Sequence, residues 1–169
     1  MKVLVSGGVR SGKSRHAESL LAGEPAVTYV APGPVLDDAD WQARVAAHQA
    51  RRPAAWRTLE TADLATALRS DGPVLVDCLG TWLTRTVDDA GLWDAPADDV
   101  LTYVEKKVLD AMAALGDHVV LVTNEVGLGV VPEHRSGRLF RDLLGTVNQH
   151  FATACDEVHL VVAGRVLKL

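Results

Sequence analysis

Short apolar runs alternate along this chain with longer stretches in which apolar residues recur every three or four positions. The runs are Lys2–Ser6, Ala26–Ala31, Val74–Asp77, His118–Thr123 and Glu157–Ala163, with Arg165–Leu169 as a short terminal addition. They are rich in Val and Leu and show little polar alternation, the pattern of strands covered on both faces. The amphipathic stretches are Gly12–Ala22, Ala39–Arg52, Thr61–Ser70, Pro96–Leu115 and Ser136–Ala154. Gly116 stands in a C′ position behind the longest of them. The last carries Leu139, Phe140, Leu143, Leu144, Val147 and Phe151 at helical spacing, which reads as core. Such alternation predicts an α/β fold: a mostly parallel sheet with helices on both faces and a short antiparallel strand at the C terminus. Asp88–Asp99, rich in Asp, Gly and Pro, reads as a surface loop. No repeat, low-complexity tract or linker divides the chain, so one domain over residues 1–169 is expected.

Composition narrows the classes. Of 169 residues, 48% are apolar and 23% charged, a globular balance that argues against disorder. Lys and Arg total 17 against 22 Asp and Glu, a formal net charge of −5, which disfavours a dedicated nucleic-acid binder. No apolar run approaches the ~20 residues that span a bilayer. The first apolar stretch ends at Val5, short of the roughly 7–15 residues of a secretory signal core, so a cytoplasmic protein is expected. Cys78 and Cys155 are too few and too far apart for a disulfide scaffold or a four-ligand zinc site and read as half-buried free thiols.

Gly7-Gly8-Val9-Arg10-Ser11-Gly12-Lys13-Ser14 matches G-x-x-x-x-G-K-[ST] in full, behind a predicted strand and ahead of a predicted helix. Glycines let the backbone curl so that several N–H groups face one anion, and the helix N-terminus adds a favourable dipole. Lys13 supplies a point charge to the β- and γ-phosphates, and Ser14 a hydroxyl to Mg²⁺. A carboxylate at the end of an apolar strand completes such a site. Asp77, closing Pro73–Asp77, fits, and Glu125, just beyond His118–Thr123, fits as the second choice.

A second cluster lies between Arg44 and Pro53. Arg44, His48 and Arg52 stand at i, i+4 and i+8 and share one helix face, with Arg51 beside it. Neighbouring cations disfavour imidazolium, and a neutral imidazole is a nucleophile. The same arginines attract polyphosphate and stabilise a pyrophosphate leaving group. The alternative is a solvated face that happens to include a histidine. Of the other histidines, His118 and His159 read as packing or edge residues of strands, and His16 and His150 as helix-surface residues. His134 reads as a loop residue.

Four blocks together resemble the bifunctional adenosylcobinamide kinase / adenosylcobinamide-phosphate guanylyltransferase family of cobalamin biosynthesis. They are Gly7 through Glu18, His48-Gln49-Ala50-Arg51-Arg52-Pro53 through Glu60, Asp77-Cys78-Leu79-Gly80-Thr81-Trp82-Leu83-Thr84, and Val122-Thr123-Asn124-Glu125-Val126-Gly127 through Pro132. The last continues through Arg138–Asp142 to Val147-Asn148-Gln149. The resemblance implies two reactions: phosphorylation of the cobinamide hydroxyl by a nucleoside triphosphate, and transfer of GMP from GTP through a guanylylated histidine, here His48. It implies nucleotide binding by the phosphate loop, by Ala31, Pro32 and Gly33, by Gln49, Ala50, Arg51 and Arg52, and by Glu60 and Asp77. It implies a RecA-like P-loop fold, Mg²⁺ with GTP and ATP as substrates, no tightly bound organic cofactor, and self-association of copies. Gly80, Arg85 and His134 depart from the residues common in that family. The competing class is a P-loop switch or motor, in which the Arg44–His48–Arg52 face would have no use.

Overall fold

The computed structural model describes residues 1–34, 38–39, 42–43, 46, 49–50 and 52–169. Among the described residues the elements run in the order β1 (Lys2–Gly7), α1 (Lys13–Leu20), β2 (Thr28–Val30), β3 (Arg57–Leu59), α2 (Leu64–Ala67), β4 (Val74–Asp77), α3 (Leu79–Ala90), α4 (Ala97–Met112), β5 (Val119–Asn124), α5 (Arg135–Ala154), β6 (Glu157–Val162) and β7 (Arg165–Lys168). One seven-stranded sheet has the order β3-β2-β4-β5-β1-β6-β7. Every strand pair is parallel except β6–β7. The α/β expectation and its antiparallel C-terminal strand are therefore met.

Side chains alternate between two cores, as the pleat requires. Leu4, Val30, Val74, Val76, Val119 and Leu121 face one way and pack under α2, α3, α4 and α5. Val3, Val5, Tyr29, Leu75, Val120, Val122 and Val161 face the other way, with Ala17 of α1 and Leu21 beyond it. The central strands β1, β4 and β5 are buried on both faces, which is why they read as unbroken Val/Leu runs. Among the described residues no helix is long and apolar enough to cross a membrane.

Some boundaries shift for local reasons. The first helix starts at Lys13 because Gly12 is its left-handed N-cap, φ 98°. The Thr61–Ser70 expectation shrinks to Leu64–Ala67, since Asp63 caps the helix by accepting from Thr66 N and the chain must reach Gly72-Pro73 before β4. Gly116 is not the C′ residue expected behind Pro96–Leu115, because α4 already ends at Met112 with Ala113 as its C-cap. Two elements are absent from the sequence reading. Arg57–Leu59 is an edge strand with only Leu59 partly covered, too short and too polar to show a period. Helix α3 occupies Leu79–Ala90, so the Asp88–Asp99 loop is in fact the last turn of α3, a short connection opened by Gly91 at φ 63°, and the first turn of α4. In the Ala39–Arg52 stretch the described residues Ala39, Gln42, Ala43, Ala46, Gln49 and Ala50 are helical, while Arg44, His48 and Arg51 lie outside the described residues.

Candidate active site

Because β1 to β5 are all parallel, their C-terminal ends share one sheet edge. Strand order sets the residues along it: Glu60 after β3, Ala31 after β2, Asp77 at the end of β4, Asn124 and Glu125 at the end of β5, and the phosphate loop after β1. In open parallel sheets this is the edge where ligands bind.

The phosphate loop is built by close backbone approach. A Cβ on Gly7 would lie 2.5 Å from the Val161 carbonyl and 2.6 Å from Ser11 Oγ, so only glycine fits. Arg10 at φ 56° and Gly12 at φ 98° curl the chain. Ser11 is buried, and its amide donates to the Gly8 carbonyl at 3.3 Å. Lys13 reaches back over the loop, Nζ donating to the same carbonyl at 3.1 Å. The β6–β7 turn braces the loop from outside: the Gly164 amide donates to the Ser11 carbonyl at 2.8 Å. Gly8, Val9 and Arg10 are exposed, and Ser14 is half-buried in the first turn of α1.

Asp77 and Glu125 differ in what holds them. Asp77 Oδ2 accepts from the hydroxyl of Tyr29 at 3.0 Å. Tyr29 is 3% exposed, and burial, reinforced by the Asp77 carboxylate, pushes its phenol far above the ordinary range, so it stays protonated and donates. Glu125 instead turns back on its own loop. Its Oε1 accepts from Gly127 N at 2.6 Å, while Arg141 donates to the carbonyls of Gly129 at 2.9 Å and Gly127 at 2.6 Å. Cys78, next to Asp77, is a buried free thiol rather than the half-buried one expected. Burial and then Asp77 push its pKa up, which keeps it a thiol and an inert core residue.

The remaining sequence-marked residues have varied settings. Ala31 N donates to the Leu59 carbonyl at 2.9 Å, Pro32 is buried, and the Gly33 carbonyl accepts from Arg85 Nη1 at 3.3 Å. Gln49, Ala50 and Glu60 are exposed. The Arg52 guanidinium lies 3.7 Å over the Tyr29 ring, and its Nη1 donates to Thr58 Oγ1 at 2.8 Å. Tyr29 thus touches both Asp77 and Arg52, and sequence reasoning missed it. The signal was an aromatic hydroxyl in a strand that has no water to satisfy it. His16 is not a plain helix-surface residue: its Nε2 meets Nδ1 of the buried His159 at 2.8 Å. His118 precedes β5 rather than lying in it, 3.6 Å from Glu24. His150 sits half-buried on α5, 3.5 Å from Glu105.

A divalent cation fits this edge by donor type. Ser14 offers a hydroxyl and Asp77 a carboxylate, both hard oxygens. Among the described residues no cluster of three or more His, Cys, Asp or Glu could hold a metal ion.

The family model described as cobinamide kinase / cobinamide phosphate guanyltransferase matches residues 3–169. The chain belongs to this family. It is 44% identical to the bifunctional adenosylcobalamin biosynthesis protein CobU of Salmonella typhimurium, over 100% of this chain and 99% of that protein. It is 41% identical to the bifunctional adenosylcobalamin biosynthesis protein CobP of Pseudomonas aeruginosa, over 100% and 97%. Among solved structures, the P4 protein of bacteriophage phi6 in complex with ADP has a TM-score of 0.49 at 15% identity, over 98% of this chain and 53% of that one. The family makes this chain a nucleotide-using enzyme, a cobinamide kinase and cobinamide phosphate guanylyltransferase.

Arg85, Gly80 and His134, the expected departures from the family, have distinct settings. Arg85 ties α3 to the Gly33 carbonyl and lies 3.6 Å from Asp89. Gly80 leaves room for Asn124, whose Nδ2 would stand 3.0 Å from an added Cβ. His134 is the exposed N-cap of α5 and makes no side-chain cap bond.

Proposed function

We propose that the C-terminal edge of this sheet carries out both family reactions with one phosphate loop. The observation that supports this most is the phosphate loop, with Lys13 folded across it, on the same edge as the Tyr29-held carboxylate of Asp77. In the kinase step the primary hydroxyl of adenosylcobinamide attacks the γ-phosphorus of ATP or GTP, and the bond to the β-γ bridging oxygen breaks. Gly7 to Gly12 orient the phosphates with backbone N–H groups, and Lys13 follows the charge as it moves to the leaving oxygen. Ser14 and Asp77 would hold Mg²⁺, which supplies charge neutralisation on the phosphates when bound.

In the transferase step His48 is the nucleophile. A neutral ring nitrogen attacks the α-phosphorus of GTP, a P–N bond forms, and pyrophosphate leaves with the electron pair of the broken P–O bond. Arg51 and Arg52, Gln49 and Ala50, together with Ala31, Pro32, Gly33 and Glu60, make up the remaining nucleotide contacts. A phosphate oxygen of adenosylcobinamide phosphate then attacks the same phosphorus, the P–N bond breaks, and adenosylcobinamide-GDP leaves. Covalent catalysis splits a hard transfer between two anions into two steps. This reading includes a cytoplasmic setting and association between copies of the chain, without nucleic acid.

The test is to incubate the protein with Mg²⁺ and GTP labelled at the α- or the γ-phosphorus and then denature it. The expected result is acid-labile, alkali-stable label from the α-position alone, absent in His48→Ala. Steady release of inorganic phosphate with no α-label would instead make the chain a P-loop NTPase, and normal adenosylcobinamide-GDP synthesis by His48→Ala would remove His48 from the mechanism.

A further inference from the structure

Tyr29 belongs to no motif, yet it is in contact with both halves of the site. It is buried in β2, between β3 and β4. One face of its ring carries the Arg52 guanidinium at 3.7 Å, and its hydroxyl donates to Asp77 Oδ2 at 3.0 Å. Arg52 is fixed at a second point by its 2.8 Å bond to Thr58 Oγ1 on β3. A guanidinium over a shielded ring face is held by the ring quadrupole and gains strength as water is excluded. The carboxylate torsion of Asp is intrinsically broad. A fixed donor on one oxygen narrows it, and a hydrogen bond to an ionised acceptor is among the stronger ones.

We propose that Tyr29 is a positioning residue that sets the Asp77 carboxylate for the cation-bound triphosphate and the Arg52 guanidinium for the same nucleotide. The proposal rests on the assignment of Asp77 and Arg52 to the nucleotide site. Its consequence is that one buried side chain fixes the Asp77 carboxylate and the Arg52 guanidinium relative to each other. The two contacts use different parts of the ring system, so they separate by mutation: Tyr29→Phe removes the donor and keeps the face, while Arg52→Met removes the cation and keeps the donor.

The measurement is the affinity for a fluorescent GTP analogue with and without Mg²⁺, the ratio of the two giving the cation linkage. In Tyr29→Phe this ratio falls about three- to tenfold, while the Mg²⁺-free affinity changes less than about twofold. Arg52→Met shows the reverse: affinity falls about three- to tenfold in both conditions and the ratio holds. Tyr29→Leu shows both losses. A merely structural Tyr29 would lower both affinities together and leave the ratio unchanged in Tyr29→Phe, which overturns the proposal. Asp77→Asn separates the two levels. If it abolishes the linkage while Tyr29→Phe keeps it, only the role of Tyr29 fails. If Asp77→Asn leaves the linkage intact, the assignment of Asp77 fails and the proposal with it.

Discussion

The ends of β4 and β5 look alike in sequence and differ in the folded chain. Each is a Val/Leu strand that finishes at the edge beside the phosphate loop, and each offers a carboxylate there. At β4 the carboxylate of Asp77 meets a side chain from another strand, the buried Tyr29 hydroxyl. At β5 the carboxylate of Glu125 meets its own loop, Gly127 N at 2.6 Å, two residues on. The difference lies in the stretch of chain just beyond each strand. After Asp77 the chain passes through Cys78 straight into α3 at Leu79. After Asn124 the chain makes an irregular connection to α5, with backbone groups that Glu125, Arg138 and Arg141 satisfy. One strand-end acid is held by a side chain from a neighbouring strand, and the other braces the loop that follows it.

Exchange of each acid for its amide is the sharpest way to break that comparison. Asp77→Asn keeps the shape and removes the charge, and Mg²⁺-dependent turnover should fall about 100-fold in both reactions. The check is steady-state assay of kinase and guanylyl transfer across Mg²⁺ concentrations. Turnover within threefold of wild type would move the metal role elsewhere on the edge. Glu125→Gln should leave both turnovers within about threefold, because the amide oxygen still reaches Gly127. Its mark should be local: exchange of the Gly127 amide faster by about tenfold, the loss of one charge-assisted bond. A collapse of activity in Glu125→Gln with unchanged exchange would reverse the two assignments.

The same contrast explains what was legible in the sequence. The phosphate loop could be read in full because its chemistry is local: the glycines, Lys13 and Ser14 lie within one turn and the next strand and helix fix their setting. The central strands could be read because double burial leaves unbroken apolar runs. Helix α3 could not, since it comes after β4 with a single residue between them and its Leu79, Trp82, Leu83 and Val87 stripe is interrupted by Thr and Gly. Edge strand β3 could not, because it buries almost nothing. Tyr29 was illegible for a different reason: its partners Arg52 and Asp77 are 23 and 48 residues away, and only the order β3-β2-β4 brings them to it. Resemblance marked Arg52 and Asp77 one by one and gave no hint of the ring between them.

A third carboxylate gives the smallest and most easily isolated effect. Asp63 is exposed and caps α2: Oδ1 accepts from Thr66 N at 3.0 Å and Oδ2 from Thr66 Oγ1 at 2.7 Å. These bonds favour the ionised form, so its pKa in the folded chain lies below the ordinary value. Linkage sets the sign. The unfolded chain binds the proton more readily, so the cap's stabilisation is complete above the ordinary Asp pKa of about 3.9 and is lost as pH falls through the lower folded value. Asp63→Ala should cost about 1 kcal/mol at neutral pH and leave catalysis unchanged. Its stability curve should begin to approach that of the wild type as pH falls below about 3.9 and meet it below the lower folded value, read by chemical denaturation at stepped pH. Persistence of the full difference in acid would mean that Asp63 stabilises by packing rather than by charge. A loss of guanylyl transfer in Asp63→Ala would mean that the α2 cap reaches the edge where Asp77 sits, and the local character of a backbone-capping acid would no longer hold.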